Sequence, residues 1–93
     1  MDWQLRIYRI KDGEVDEWAD EWARHVAPLR RQHGFHVLGP WIQDRTFVWL
    51  LGHSPGGFEA ADARYYTSDE RKRLDPDPAR HIEAQQHHMI RIE

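Results

Sequence analysis

Arg6 and Tyr8 stand two residues apart in a stretch, Trp3 to Ile10, whose apolar and polar side chains alternate. A strand there puts both on the face away from Leu5 and Ile7. A guanidinium beside a phenol can hold a carboxylate or enolate oxygen and stabilise negative charge that develops there during a reaction. The same pair can instead close a hydrogen bond at a dimer interface, because a buried arginine has to be paired whatever the function. His36 and His53 are the histidines expected to touch both sheet and cavity, where an imidazole either moves a proton near neutral pH or stays a hydrogen-bonded, partly exposed side chain. Trp41 and Trp49 on neighbouring strands, with Phe47, form either the wall of a cavity for a flat aromatic or polyketide-like molecule or ordinary core. Tyr65 and Tyr66 are adjacent on a helix, so the expectation is that one reaches the pocket and the other solvent; the sequence does not say which.

Composition narrows the chemistry. With no cysteine among 93 residues there is no thiolate nucleophile, disulfide framework or cysteine-based metal site. His87 and His88 are adjacent on a strand and point to opposite faces, so they cannot chelate one ion together, and no metal site is expected. No glycine-rich phosphate loop occurs, so no cofactor is expected either. Thirteen Lys and Arg against sixteen Asp and Glu leave a net charge of −3, with no basic surplus for nucleic acid. No apolar run approaches the roughly 18 residues of a membrane span, and the opening Met1-Asp2-Trp3 lacks a signal-peptide pattern, so the reading is a cytoplasmic protein without membrane partners.

The elements that must position these residues follow from periodicity. Lys11-Asp12-Gly13 closes the first strand, and then Val15, Trp18, Ala19, Trp22, Val26 and Leu29 recur at helical spacing. Asp12 is a candidate cap, Gly34 the expected stop, and Pro28 should kink or tighten the helix late by removing a backbone donor. Phe35–Ile42 and Thr46–Leu51 read as a hairpin around Gln43-Asp44-Arg45. After Ser54-Pro55-Gly56-Gly57 a second helix runs from Phe58 irregularly toward Leu74, with Asp69–Arg73 as an exposed charged face. Asp77-Pro78 caps a short helix over Ala79 to Gln85, and His88–Ile92 is the last strand.

Strand, helix, strand, strand, helix, strand is the α+β, ferredoxin-like βαββαβ pattern with a four-stranded antiparallel sheet. Right-handed crossovers place both helices on one sheet face. In the third strand Phe47, Trp49 and Leu51 oppose Val48 and Leu50, and in the second Phe35, Val37 and Trp41 oppose Leu38 and Ile42, so both faces look buried. Soluble monomers rarely expose such a patch, and pairing with a second copy as a homodimer would cover it.

Several segments resemble the NIPSNAP family, one group of the dimeric α/β-barrel proteins that also include the antibiotic-biosynthesis-type monooxygenases. These are Leu5-Arg6-Ile7-Tyr8, Lys11-Asp12-Gly13, Pro28-Leu29 leading to Gln32-His33-Gly34, and Leu38-Gly39-Pro40-Trp41. The resemblance implies two four-stranded sheets closing a barrel between protomers. It also implies cofactor-independent oxygenation or isomerisation of an aromatic ligand, with Arg6 and Tyr8 on its oxygens and His36 or His53 moving a proton; a non-catalytic carrier or interaction module is the other reading. Leu51 and His53 stand where the family carries Trp-x-Tyr. The absence of asparagine argues against the related haem-degrading enzymes, which use an Asn, Trp and His set.

Overall fold

The computed structural model describes residues 1–93. Its strands are β1 (Asp2–Ile10), β2 (His36–Gln43), β3 (Thr46–His53) and β4 (Ile82–Ile90), in one antiparallel sheet of order β2-β3-β1-β4. Helices α1 (Val15–Glu21) and α2 (Ala27–Gln32) form the first crossover; α3 (Phe58–Thr67) and α4 (Asp69–Lys72) belong to the second. This is the expected ferredoxin-like arrangement. No helix is long and apolar enough to cross a membrane.

Between α1 and α2 the chain is π-helical over Trp22–Val26, and the Ala27 N–H reaches back five residues to the Trp22 carbonyl. Pro28 follows directly. Its ring would collide with the carbonyl four residues earlier, and the widened turn makes room while Trp18, Trp22, Val26 and Leu29 stay buried on one side. The rod ends at Gly34, whose φ of +88° lets the Phe35 N–H turn back to the Arg30 carbonyl. Asp12 does not cap this helix; Glu14 occupies the cap position, and its carboxylate bonds His81 instead.

The core lies between this rod and the sheet. Trp22 meets Phe47 and Trp49 edge-on at 5.3 and 5.6 Å, and Trp18 meets Phe47 at 5.4 Å, geometries that suit the ring quadrupoles. Trp3 is not part of it. With Leu5 and Ile7 it lies half-buried on the opposite sheet face, packed over Gly52, where an added Cβ would meet its ring at 2.7 Å.

Two further features depart from the sequence reading. In β2, Leu38 pairs with Leu50 but Trp41 pairs with Val48, so three residues of advance on one strand match two on the other. This bulge at Gly39-Pro40 swings Trp41 onto the face of Leu38 and turns Ile42 toward that of Phe47. The helix expected over Ala79–Gln85 is one 3₁₀ turn, Pro78–His81, started by Asp77 accepting from the Ala79 N–H, and β4 begins at Ile82 rather than His88. β4 is an edge strand held by backbone pairing to β1, and its mostly polar side chains give no alternation to read.

Candidate functional site

Arg6 and Tyr8 share one face of β1, as the alternation requires, and that face points at the helices of the same chain rather than into a space between two sheets. Arg6 is 0% exposed. Its Nε donates to Gln4 (2.7 Å), Nη1 to the hydroxyls of Tyr8 (3.2 Å) and Tyr66 (2.9 Å), and Nη2 to Asp62 Oδ1 (3.2 Å). Burial alone would pull its pKa down; the phenols of Tyr8 and Tyr66 outweigh that and hold it above its ordinary value. Burial raises the Tyr8 and Tyr65 phenols, so both are neutral donors at physiological pH.

A second guanidinium faces the first. Arg30, at the end of α2, is 1% exposed and donates from Nη1 to the same Asp62 oxygen at 2.7 Å. Its Cζ lies 3.7 Å from the Tyr65 ring centre, with the Phe35 and Tyr66 rings at 4.9 and 5.0 Å. Asp62, 26% exposed on α3, is thus shared by two buried cations. The two guanidiniums, but not Asp62, line a cavity of about 90 Å³. The sheet contributes Arg6, Tyr8 and Trp49 to its wall, the first crossover Trp18, Val26 and Arg30, and the second Tyr65, Tyr66 and Arg71. Pro78, Ala79 and Ile82 complete it, and the exposed Tyr66, Ala79 and Gln85 mark where it meets solvent.

Four buried side-chain polar atoms in the chain have no hydrogen-bond partner within the protein: Arg30 Nε and the indole nitrogens of Trp18, Trp22 and Trp49. All four are donors, and three belong to the cavity wall. Buried donors normally find acceptors, so these four depart from the rule, and each atom is itself closed to solvent.

Of the residues singled out by sequence, Arg6, Tyr8, Trp49, Tyr65 and Tyr66 meet at this cavity. The two tyrosines do not divide between pocket and solvent. Tyr65 is buried beneath Arg30, while Tyr66 lies across the mouth, largely exposed, with its hydroxyl on Arg6. Trp41 is 53% exposed on the opposite face because of the bulge, so it shares no wall with Trp49. Phe47 is sealed between Trp18 and Trp22 and lines nothing. His36 is exposed on the open face, across from Gly52. His53 packs on Phe35 at 5.2 Å, four residues along β3 from Trp49, or about 13 Å at strand rise. Neither histidine reaches the cavity. His33 lies 5.7 Å from the Tyr65 ring, and His87, paired across from Arg6, lies 6.4 Å from Tyr8; desolvation, then the charge of Arg6, lowers the His87 pKa.

Arg30 and Asp62 are the functional residues that sequence reasoning missed. A signal existed. Arg30 falls four residues after Val26, and Asp62 four after Phe58 and three before Tyr65, so each charge interrupts an apolar stripe.

Fold and cavity together define the class: a ferredoxin-like α+β protein with a cationic, aromatic-walled cavity between its layers. No protein-family model matches the chain, and no curated protein matches it in sequence. Solved structures do. A NIPSNAP domain protein from Burkholderia xenovorans superposes with a TM-score of 0.85 at 19% identity, over 100% of this chain and 95% of that one. A NIPSNAP family protein from Agrobacterium tumefaciens gives 0.83 at 14% identity, over 96% and 90%. An antibiotic biosynthesis monooxygenase gives 0.67 at 16% identity, over 100% and 99%. The chain therefore has the NIPSNAP-type fold.

Proposed function

We propose that this chain is a NIPSNAP-family homodimer that binds a small aromatic molecule through its oxygen-bearing end, in the cavity between helices and sheet. The observation that carries this reading is the pair of buried guanidiniums, Arg6 and Arg30, in the wall of one aromatic cavity, with a single carboxylate, Asp62, shared between them. Arg30 holds the ligand's carboxylate or enolate oxygen, with Arg6, Tyr8 and Tyr66 beside it, and negative charge on it is stabilised there. That is the binding half of a cofactor-independent oxygenation or isomerisation, in which the ligand supplies its own carbanion. The second reading, a non-catalytic carrier, is favoured by the wall itself: neither His36 nor His53, nor any other histidine or carboxylate, lines it.

Volume limits the ligand. Enclosed sites for drug-sized molecules hold about 300 to 1,000 Å³, so about 90 Å³ admits an oxygen-bearing head and no fused polyketide. For the dimer, the support is the open sheet face, where Trp3, Leu5, Ile7, Leu38, Trp41, Val48 and Leu50 lie together.

Tryptophan fluorescence titrated with aromatic acids, enols and quinones tests the binding reading. Quenching by members of the panel is expected, and Trp49→Phe should remove most of it. A flat response across the panel overturns the proposal. Oxygen uptake, or deuterium exchange into a bound ligand, then separates enzyme from carrier.

A further inference from the structure

Charge beside the cavity is unbalanced by one. Arg6 and Arg30 are both buried cations, and the single carboxylate between them, Asp62, offers the same oxygen to each at 3.2 and 2.7 Å. Arg71, the third arginine of the wall, adds no surplus, because Asp77 matches it at 2.9 Å. A buried charge without a counter-charge is costly, and a ligand of opposite sign removes that cost.

The two arginines are used differently. Arg6 makes four side-chain hydrogen bonds, which leaves one of the five guanidinium N–H groups. Arg30 makes one, to Asp62, and its Nε has no partner. A guanidinium lying on a ring face, as Arg30 lies on Tyr65, keeps its donors at its rim, ready for a planar carboxylate. Size fixes the rest. An engineered cavity of about 150 Å³ is known to bind benzene, so about 90 Å³ takes a carboxylate and leaves an attached ring at the mouth beside Tyr66.

Resting on the cavity reading above, we propose that the ligand is a singly charged aryl carboxylate or enolate whose anionic head pairs with Arg30, and that Asp62 sets the site to accept one negative charge. Asp62 is a positioning residue: it cancels one of the two cations and fixes both guanidiniums.

Three ligands with the same ring test this at pH 7 by fluorescence titration and calorimetry: phenylacetamide (neutral), phenylacetate (one charge) and phenylmalonate (two). Wild-type protein should prefer phenylacetate by about tenfold or more over both others, the size of one charge-assisted hydrogen bond. Asp62→Asn raises the surplus to two and should move the preference to phenylmalonate. Arg30→Met should lower phenylacetate affinity to that of the amide. The wild-type series is decisive even if a variant fails to fold. Equal affinity for all three compounds overturns charge selection and leaves the cavity reading standing, whereas no binding of any of them, alongside a flat response to the broader panel, overturns both.

Discussion

His81 is 2% exposed, yet both ring nitrogens face carboxylates: Nδ1 lies 2.7 Å from Glu14 and Nε2 3.0 Å from Glu21. A neutral imidazole carries one N–H, so both contacts are hydrogen bonds only when the ring is protonated. Burial alone, and Arg80 beside it, would lower the His81 pKa; the bonds to Glu21 and Glu14 prevail and raise it, with Glu17 at 3.9 Å on the same side. This charged clamp ties the Pro78–His81 turn, which walls the cavity through Pro78 and Ala79, to α1. In His81→Gln the amide can serve one carboxylate, so one charge-assisted bond and the cation are lost. Because Glu14 is partly exposed and rehydrates, the cost is about 2 kcal/mol. For a domain of this size that lowers Tm by about 8 to 16 °C. The folded pKa lies above the free value, so the wild-type advantage is complete below the free-histidine range, about pH 6, and disappears as pH rises through the folded pKa. Thermal and urea melts of both proteins, followed by tryptophan fluorescence from about pH 6 to pH 9, give the difference directly, with the other histidines cancelling between the two. A gap that stays constant across that range would refute the charged clamp.

Two further outcomes follow from the packing. Arg6→Met leaves Asp62 paired with Arg30 but takes the charged donor from Tyr8 and Tyr66, and should cost about 1.5 to 3 kcal/mol, a fall in Tm of about 6 °C or more; a near-neutral melt would contradict its buried network. Trp41→Lys puts a charge on the open face without touching the core, so ultracentrifugation should find the wild type dimeric and the variant a folded monomer; equal association of the two would contradict pairing through this face.

Much of this architecture is legible because its signals are local. The stripe of Trp18, Trp22, Val26 and Leu29 and the alternation through Arg6 and Tyr8 depend only on helix and strand geometry, and Gly34 stops the helix by its own backbone freedom. β4 is not legible in this way: as an edge strand it is held by β1's backbone, and Ile82–Ile90 needs no apolar pattern. Trp41 fails for another reason. One extra residue in β2 reverses every side chain beyond it, and the extra residue is visible only against β3.

The candidate site divides along the same line. The sequence alone determined that Arg6 and Tyr8 share a face, that Trp49 lies buried with Phe47 and Leu51, and that the elements run in ferredoxin-like order. Only the tertiary structure decided that the helices of the same chain cover that face, that Arg30 and Asp62 arrive there from α2 and α3, and that His36, His53 and Trp41 do not. Periodicity assigns a side chain to a face, but the neighbour of that face is chosen by crossovers and strand register. Charges 24 and 56 residues from Arg6 in the chain can therefore meet it only once the layers close.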